Sequence, residues 1–99
     1  MNNKLPPCSL EDIIRMDRRS IMNCDVYLEV INNIDYYHIV IPGETKGKEL
    51  DLGNTQRFLG IGLIDEIIRR YLQTNPSANV DEVKMAVVYY WNNSAYLTK

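Results

Sequence analysis

VYLEVINNIDYYHIVI, residues 26–41, consists of two alternating runs of side chains joined by Asn32-Asn33. Alternation with period two is the mark of a strand. Asparagine tolerates positive φ better than other non-glycine residues, which suits it to the two-residue turns that close hairpins. The stretch therefore predicts a β-hairpin with Ile31 and Ile34 flanking the turn. In that register Leu28 faces Tyr37 and Val26 faces Ile39 on one side. The other side pairs Tyr27 with His38 and Glu29 with Tyr36, beside Ile31, Ile34 and Val40. Both sides are apolar. Helices are expected to cover one side and a partner the other.

Upstream, Pro6-Pro7 closes an N-terminal arm, 1–8, that is expected to be loose, ahead of one α+β domain at 9–99. Ser9 reads as an N-cap, with Glu11 and Asp12 in the first turn, where the helix dipole favours negative charge. Leu10, Ile13, Ile14, Asp17 and Ile21 follow helical spacing, so the spacing predicts a helix over about 10–23. Downstream lies a polar loop, 43–53, and then a second helix over about 55–73, capped by Asn54 or Thr55. Its stripe is Phe58, Leu59, Leu63, Ile64, Ile67, Ile68, Tyr71 and Leu72. Gly60 and Gly62 weaken that helix, and they point to close approach of another segment.

Residues 79–98 carry two signals. Asn79 with Glu82 resembles a capping box, and Val80, Val83, Val87, Val88 and Trp91 fit a helix. Against this, residues 87–91 are five strong β-formers in succession, and Asn92-Asn93 repeats the dipeptide of the first hairpin. The expectation is a short helical turn at 80–84 and then a second hairpin at about 85–91 and 94–98. The order becomes α-β-β-α-β-β, two helices packed on a small, largely antiparallel sheet. A helical C-terminus would instead leave two strands and three helices, and would favour a sheet completed by a second copy.

Ninety-nine residues make one domain with one modest core. A hydrophobic content of 45% with 24% charged residues is that of a globular chain, not a disordered one. The net charge of −2 gives no bulk attraction to nucleic acid or anionic membrane. No run approaches the ~20 apolar residues that span a bilayer, and the N-terminus lacks the apolar stretch of a signal peptide. A soluble, cytoplasmic protein with no membrane association is expected. Cys8 and Cys24 bracket the first predicted helix, whose length of roughly 20 Å exceeds the ~7 Å reach of a disulfide. Their thiols are then free or paired between chains, and with a single histidine they make no zinc site.

Gly43 to Glu49 follows a strand and precedes a helix, as a phosphate loop would. It has three residues between its glycines instead of four, and Glu49 follows Lys48 where Ser or Thr should bind the metal. It reads as a surface loop. Arg15, Arg18 and Arg19 stand at i, i+3 and i+4 of the first predicted helix and would share a face able to track phosphates. The strand tyrosines could stack bases, yet residues 24–42 contain no Lys or Arg and carry Asp25, Glu29 and Asp35. His38 could meet Glu29 diagonally across the hairpin, but no nucleophile stands near in sequence. No cofactor, metal site or enzymatic activity is expected.

With ten Asn, eleven Ile and seven Tyr in 99 residues, the chain resembles, in length and composition and not through any motif such as VINNIDYYHIV, the small uncharacterised proteins of filamentous viruses of thermophilic archaea. That resemblance implies a viral protein, often dimeric, working in the host cytoplasm. The function expected is a non-enzymatic homodimeric interaction protein. Its contact surface would be the outer face of the hairpin: Tyr27, Ile31, Ile34, Tyr36, His38 and Val40, with Tyr90 added from the second hairpin. The alternatives are a stoichiometric inhibitor or immunity-type protein docking on a basic partner, and a nucleic-acid binder using Arg15, Arg18 and Arg19.

Overall fold

The computed structural model describes residues 7–41 and 55–97. The chain forms α1 (Leu10–Arg15), a 3-10 turn (Arg19–Ile21), β1 (Asp25–Ile31), β2 (Ile34–Val40), β3 (Thr55–Arg57), α2 (Ile61–Thr74) and α3 (Val80–Asn93). β1 and β2 pair antiparallel in the expected register, from Asp25 opposite Val40 to Ile31 opposite Ile34. Asn32 and Asn33 adopt φ of 53° and 67°, both left-handed, so the turn twists with the strands it joins. β3 adds antiparallel to β1, with Leu28 opposite Gln56, and gives the order β2-β1-β3. On the far side of β2, Cys8 exchanges two backbone hydrogen bonds with Tyr37, at 2.9 and 2.8 Å. Residues 42–54, with the Gly43–Glu49 loop tested above as a phosphate cradle, and residues 1–6 of the N-terminal arm lie outside the described residues.

The first helix is shorter than the spacing predicts. It starts at the expected cap, where Ser9 and Asp12 form a capping box, but Met16 turns extended at ψ 163°. Asp17 then accepts from the Arg19 backbone N–H at 3.1 Å, a local turn that competes with helix. Arg18 folds back and donates from Nη1 to the carbonyls of Ile13 and Ile14, at 3.0 and 2.6 Å, closing the helix end. The second helix also starts later than expected, at Ile61, because Thr55–Arg57 is held extended by β1. Gly60 takes the N-cap position in place of Asn54 or Thr55. A Cβ on Gly62 would sit 3.1 Å from the Met22 carbonyl oxygen, so the chain before β1 does approach this helix closely.

The C-terminal hairpin is replaced by a helix. Asn79 and Glu82 complete the capping box, and α3 runs without interruption to Asn93. Val83, Ala86 and Val87 are buried on one stripe, and that burial overrides the β preference of residues 87–91. Among the described residues the fold is α+β with three α-helices and a three-stranded antiparallel sheet, not the α-β-β-α-β-β order. Leu10 and Ile13 of α1, the inner ribbon face (Val26, Leu28, Tyr37, Ile39), Phe58, the stripe of α2 and that of α3 form one core. Phe58 links the layers, with its ring 5.1 Å from Tyr37 and 4.7 Å from Trp91.

Candidate interaction surface

The hairpin was expected to have one covered and one open face. Its burial varies instead along its length. At the root, Val26 and Ile39 on the inner side are fully buried, but so are His38 and Val40 on the outer side, at 8% and 2% exposure. Midway, Tyr27, Glu29 and Tyr36 are half-buried. At the turn both sides open: Val30 is 40% exposed, Ile31 43% and Ile34 54%. Val30 pairs with Asp35 and Ile31 with Ile34, so the last two residue pairs before the turn are all exposed. Three branched aliphatic side chains thus flank the two-residue turn in solvent, Val30 on the inner side and Ile31 and Ile34 on the outer.

Of the outer-face residues expected to make contact, Ile31 and Ile34 flank this turn, and Tyr27 and Tyr36 border it. His38 and Val40 are already covered within the single chain and add little free surface. His38 Nε2 lies 2.8 Å from Glu29 Oε1, the expected diagonal pair, which satisfies the buried imidazole and the largely covered carboxylate. Tyr90 is not on the sheet. It belongs to α3, where its ring packs edge-on against Tyr96 at 5.1 Å.

The shared face expected of Arg15, Arg18 and Arg19 does not form, because α1 ends at Arg15. Arg15 pairs with Glu11 and Arg19 with Asp17, both at the surface. Arg18 turns inward, where its Nε donates to Asp65 Oδ1 at 2.8 Å, and Arg69 Nε donates to Oδ2 at 2.7 Å. Burial alone would raise the Asp65 carboxyl, but the hydrogen bonds and charges of Arg69 and Arg18 outweigh it and hold it below the usual carboxylate range. Arg57, expected on the second helix, lies on β3 and pairs with Asp25.

Both thiols are free. Burial, with the charge of Asp12, pushes Cys8 up to about 11, and burial with Asp25 also raises Cys24. They are protonated near neutral pH, whereas the thiolate is the nucleophile and metal ligand. Among the described residues no three His, Cys, Asp or Glu side chains group to hold a metal ion, and no helix is long and apolar enough to cross a membrane.

A second exposed apolar stripe was missed by reading residues 85–91 as a strand. Met85, Val88 and Tyr89 stand on the solvent side of α3, at 65%, 37% and 38% exposure. With Asp81, Lys84, Asn92 and Asn93 they make up a shallow, open face of this one helix. Helical spacing of these residues was the signal available for it. A separate cavity of about 530 Å³, between α2, α3 and the chain end, is lined by Ile67, Tyr71, Ala86, Tyr96 and Leu97, and Arg70 stacks over the Tyr96 ring at 4.6 Å. Comparison with protein-family models, with curated proteins and with solved structures finds no match to this chain.

Proposed function

We propose that this chain is a non-enzymatic interaction protein that acts as a homodimer, with the turn end of its hairpin as the contact. The observation that carries this reading is the exposure of Ile31 and Ile34 on one side and Val30 on the other, beside a turn formed by two left-handed asparagines. Scattered exposed apolar residues are ordinary on monomers, whereas clustered ones mark contact sites. A preorganised ribbon loses little conformational freedom on docking, so more of the apolar gain survives as affinity. The half-buried rings of Tyr27 and Tyr36 extend the surface with groups suited to contacts that are partly wet. A viral setting in a host cytoplasm belongs to the same proposal and is supported by the compositional resemblance.

Light scattering coupled to size exclusion tests it. At micromolar concentration the expected mass is twice that of the 11.5 kDa chain. An 11.5 kDa species throughout that range overturns the reading. Ile34→Asp, at an exposed position that folding does not require to be apolar, is expected to give a folded monomer. A dimer undisturbed by Ile34→Asp would place the contact elsewhere and remove the hairpin from it.

A further inference from the structure

We infer that residues 85–97 are a conformational switch, helical while α3 lies on the core and extended once it comes away, when they stack as strands on the same residues of other copies. This is separate from the hairpin contact, and neither depends on the other.

The first support is the segment's own sequence. Met85 to Leu97 belongs to the longest run of the chain without a charge, a proline or a glycine. Val87 to Trp91 are β-formers in succession, and Asn92-Asn93 supplies the amides that form ladders between stacked strands. High strand preference without charges or breakers is the pattern that pairs with its own copies.

The second support is how little within α3 keeps its latter half helical. The helix is secured at its start, by the box of Asn79 and Glu82 and by two acidic residues in the first turn. Past Met85 come branched and aromatic residues, which are poorer helix formers than Ala, Leu or Lys. No cation stands in the last turn, and the left-handed closing position is Ser94, at φ 54°, where glycine is favoured. α2 is laced by the pairs Asp65–Arg69 and Glu66–Arg70, whereas α3 makes no ion pair among the described residues.

The grip of the core is the third. From Met85 to Asn93 only Ala86 and Val87 are buried, with the rings of Tyr90 and Trp91 half-buried. Local preference and tertiary packing therefore oppose one another over these residues, a conflict that marks a second accessible state. The hairpin at 26–41 is as rich in β-formers, but its strands already have their partners. The strand preference of α3 is met by nothing in the folded chain. Opening one element costs less than unfolding the whole, so the released segment is reached before global unfolding.

The full-length chain tests the switch. Wild type, Asn79→Ala and Tyr89→Lys are agitated at one temperature, below the Tm of all three, and followed by thioflavin T fluorescence. Asn79→Ala removes the cap that secures α3 and is expected to convert fastest. Tyr89→Lys replaces an exposed aromatic with a better helix former and sets a charge in the segment. Its Tm is expected to equal or exceed that of wild type, while its lag lengthens about tenfold or more. The expected product is a fibre with a repeat of about 4.7–4.8 Å along its axis, in which the amides of 85–97 resist hydrogen exchange. Should Asn79→Ala fail to fold, wild type against Tyr89→Lys decides alone. Absence of fibres from wild type and Asn79→Ala alike, protection at 26–41 in place of 85–97, or an unchanged lag for Tyr89→Lys each overturns the switch.

Discussion

Asn32-Asn33 and Asn92-Asn93 are the same dipeptide in opposite roles. The first pair lies between alternating runs whose cross-strand partners close the ladder, and both residues go left-handed. The second pair ends α3, where Asn93 Nδ2 donates to the Tyr89 carbonyl at 2.9 Å and the left-handed residue is Ser94. The first hairpin was therefore legible from its flanks, and the second was a false echo. A left-handed conformation costs most side chains ~1–2 kcal/mol, and asparagine and glycine avoid much of that. Asn33→Ala is expected to lose about 1 kcal/mol, which in a chain this size lowers Tm by roughly 4–8 °C. Asn33→Gly is expected to leave Tm unchanged or raise it. Thermal unfolding followed by circular dichroism separates the two, and an Asn33→Ala chain as stable as wild type would mean that the turn is not held as described.

Helix boundaries were legible where a cap announces them and hidden where a distant residue decides them. Ser9 and Asn79 open α1 and α3 with capping boxes that local spacing reveals. The end of α1 depends on Arg18, whose guanidinium caps carbonyls of that helix while pairing with Asp65, 47 residues away. No local pattern encodes such a partner. The Asp65 side chain is 9% exposed and that of Arg18 13%, so their pair is largely dry, whereas Arg69 lies mostly in solvent. Removing one partner of a buried pair strands the other and costs about 3–5 kcal/mol, whereas exposed pairs contribute ~1 kcal/mol or less. Asp65→Asn is thus expected to cost about 3 kcal/mol by urea denaturation, and Arg69→Ala under 1 kcal/mol. Equal losses from the two variants would show that Arg18 is held by its carbonyl contacts and not by the carboxylate. The late start of α2 has the same origin, since Thr55–Arg57 is claimed by strand residues 26 to 30 positions earlier in the chain.

Taken as one body, the described residues bury the inner ribbon face and the helix stripes in a single core and leave large apolar side chains exposed at the hairpin tip and on the solvent side of α3, besides Met22 and Ile41. The doubly apolar character of the hairpin was legible in its alternation. That its openness runs from root to tip was not, because only the packed structure shows where the helical layer stops. The α3 patch was hidden for a different reason: five β-formers in a row mask helical spacing when strand preference is weighed before burial. If the hairpin tip is closed by a second copy, folding and association are linked, and stability depends on concentration by mass action. A tenfold rise in concentration adds ~1.4 kcal/mol per dimer, or about 0.7 kcal/mol per chain. For a chain of this length that raises Tm by roughly 4 °C. Melting curves at 1, 10 and 100 μM are therefore expected to shift upward in even steps for the wild type. Ile34→Asp, held monomeric, is expected to melt at one temperature across the series. Because the contact is mostly apolar, the steps should persist in 0.5 M salt, where a dimer held by exposed charges would weaken. A wild-type Tm flat across two decades of concentration means that the hairpin tip faces water in the working protein, and the case for pairing falls with it.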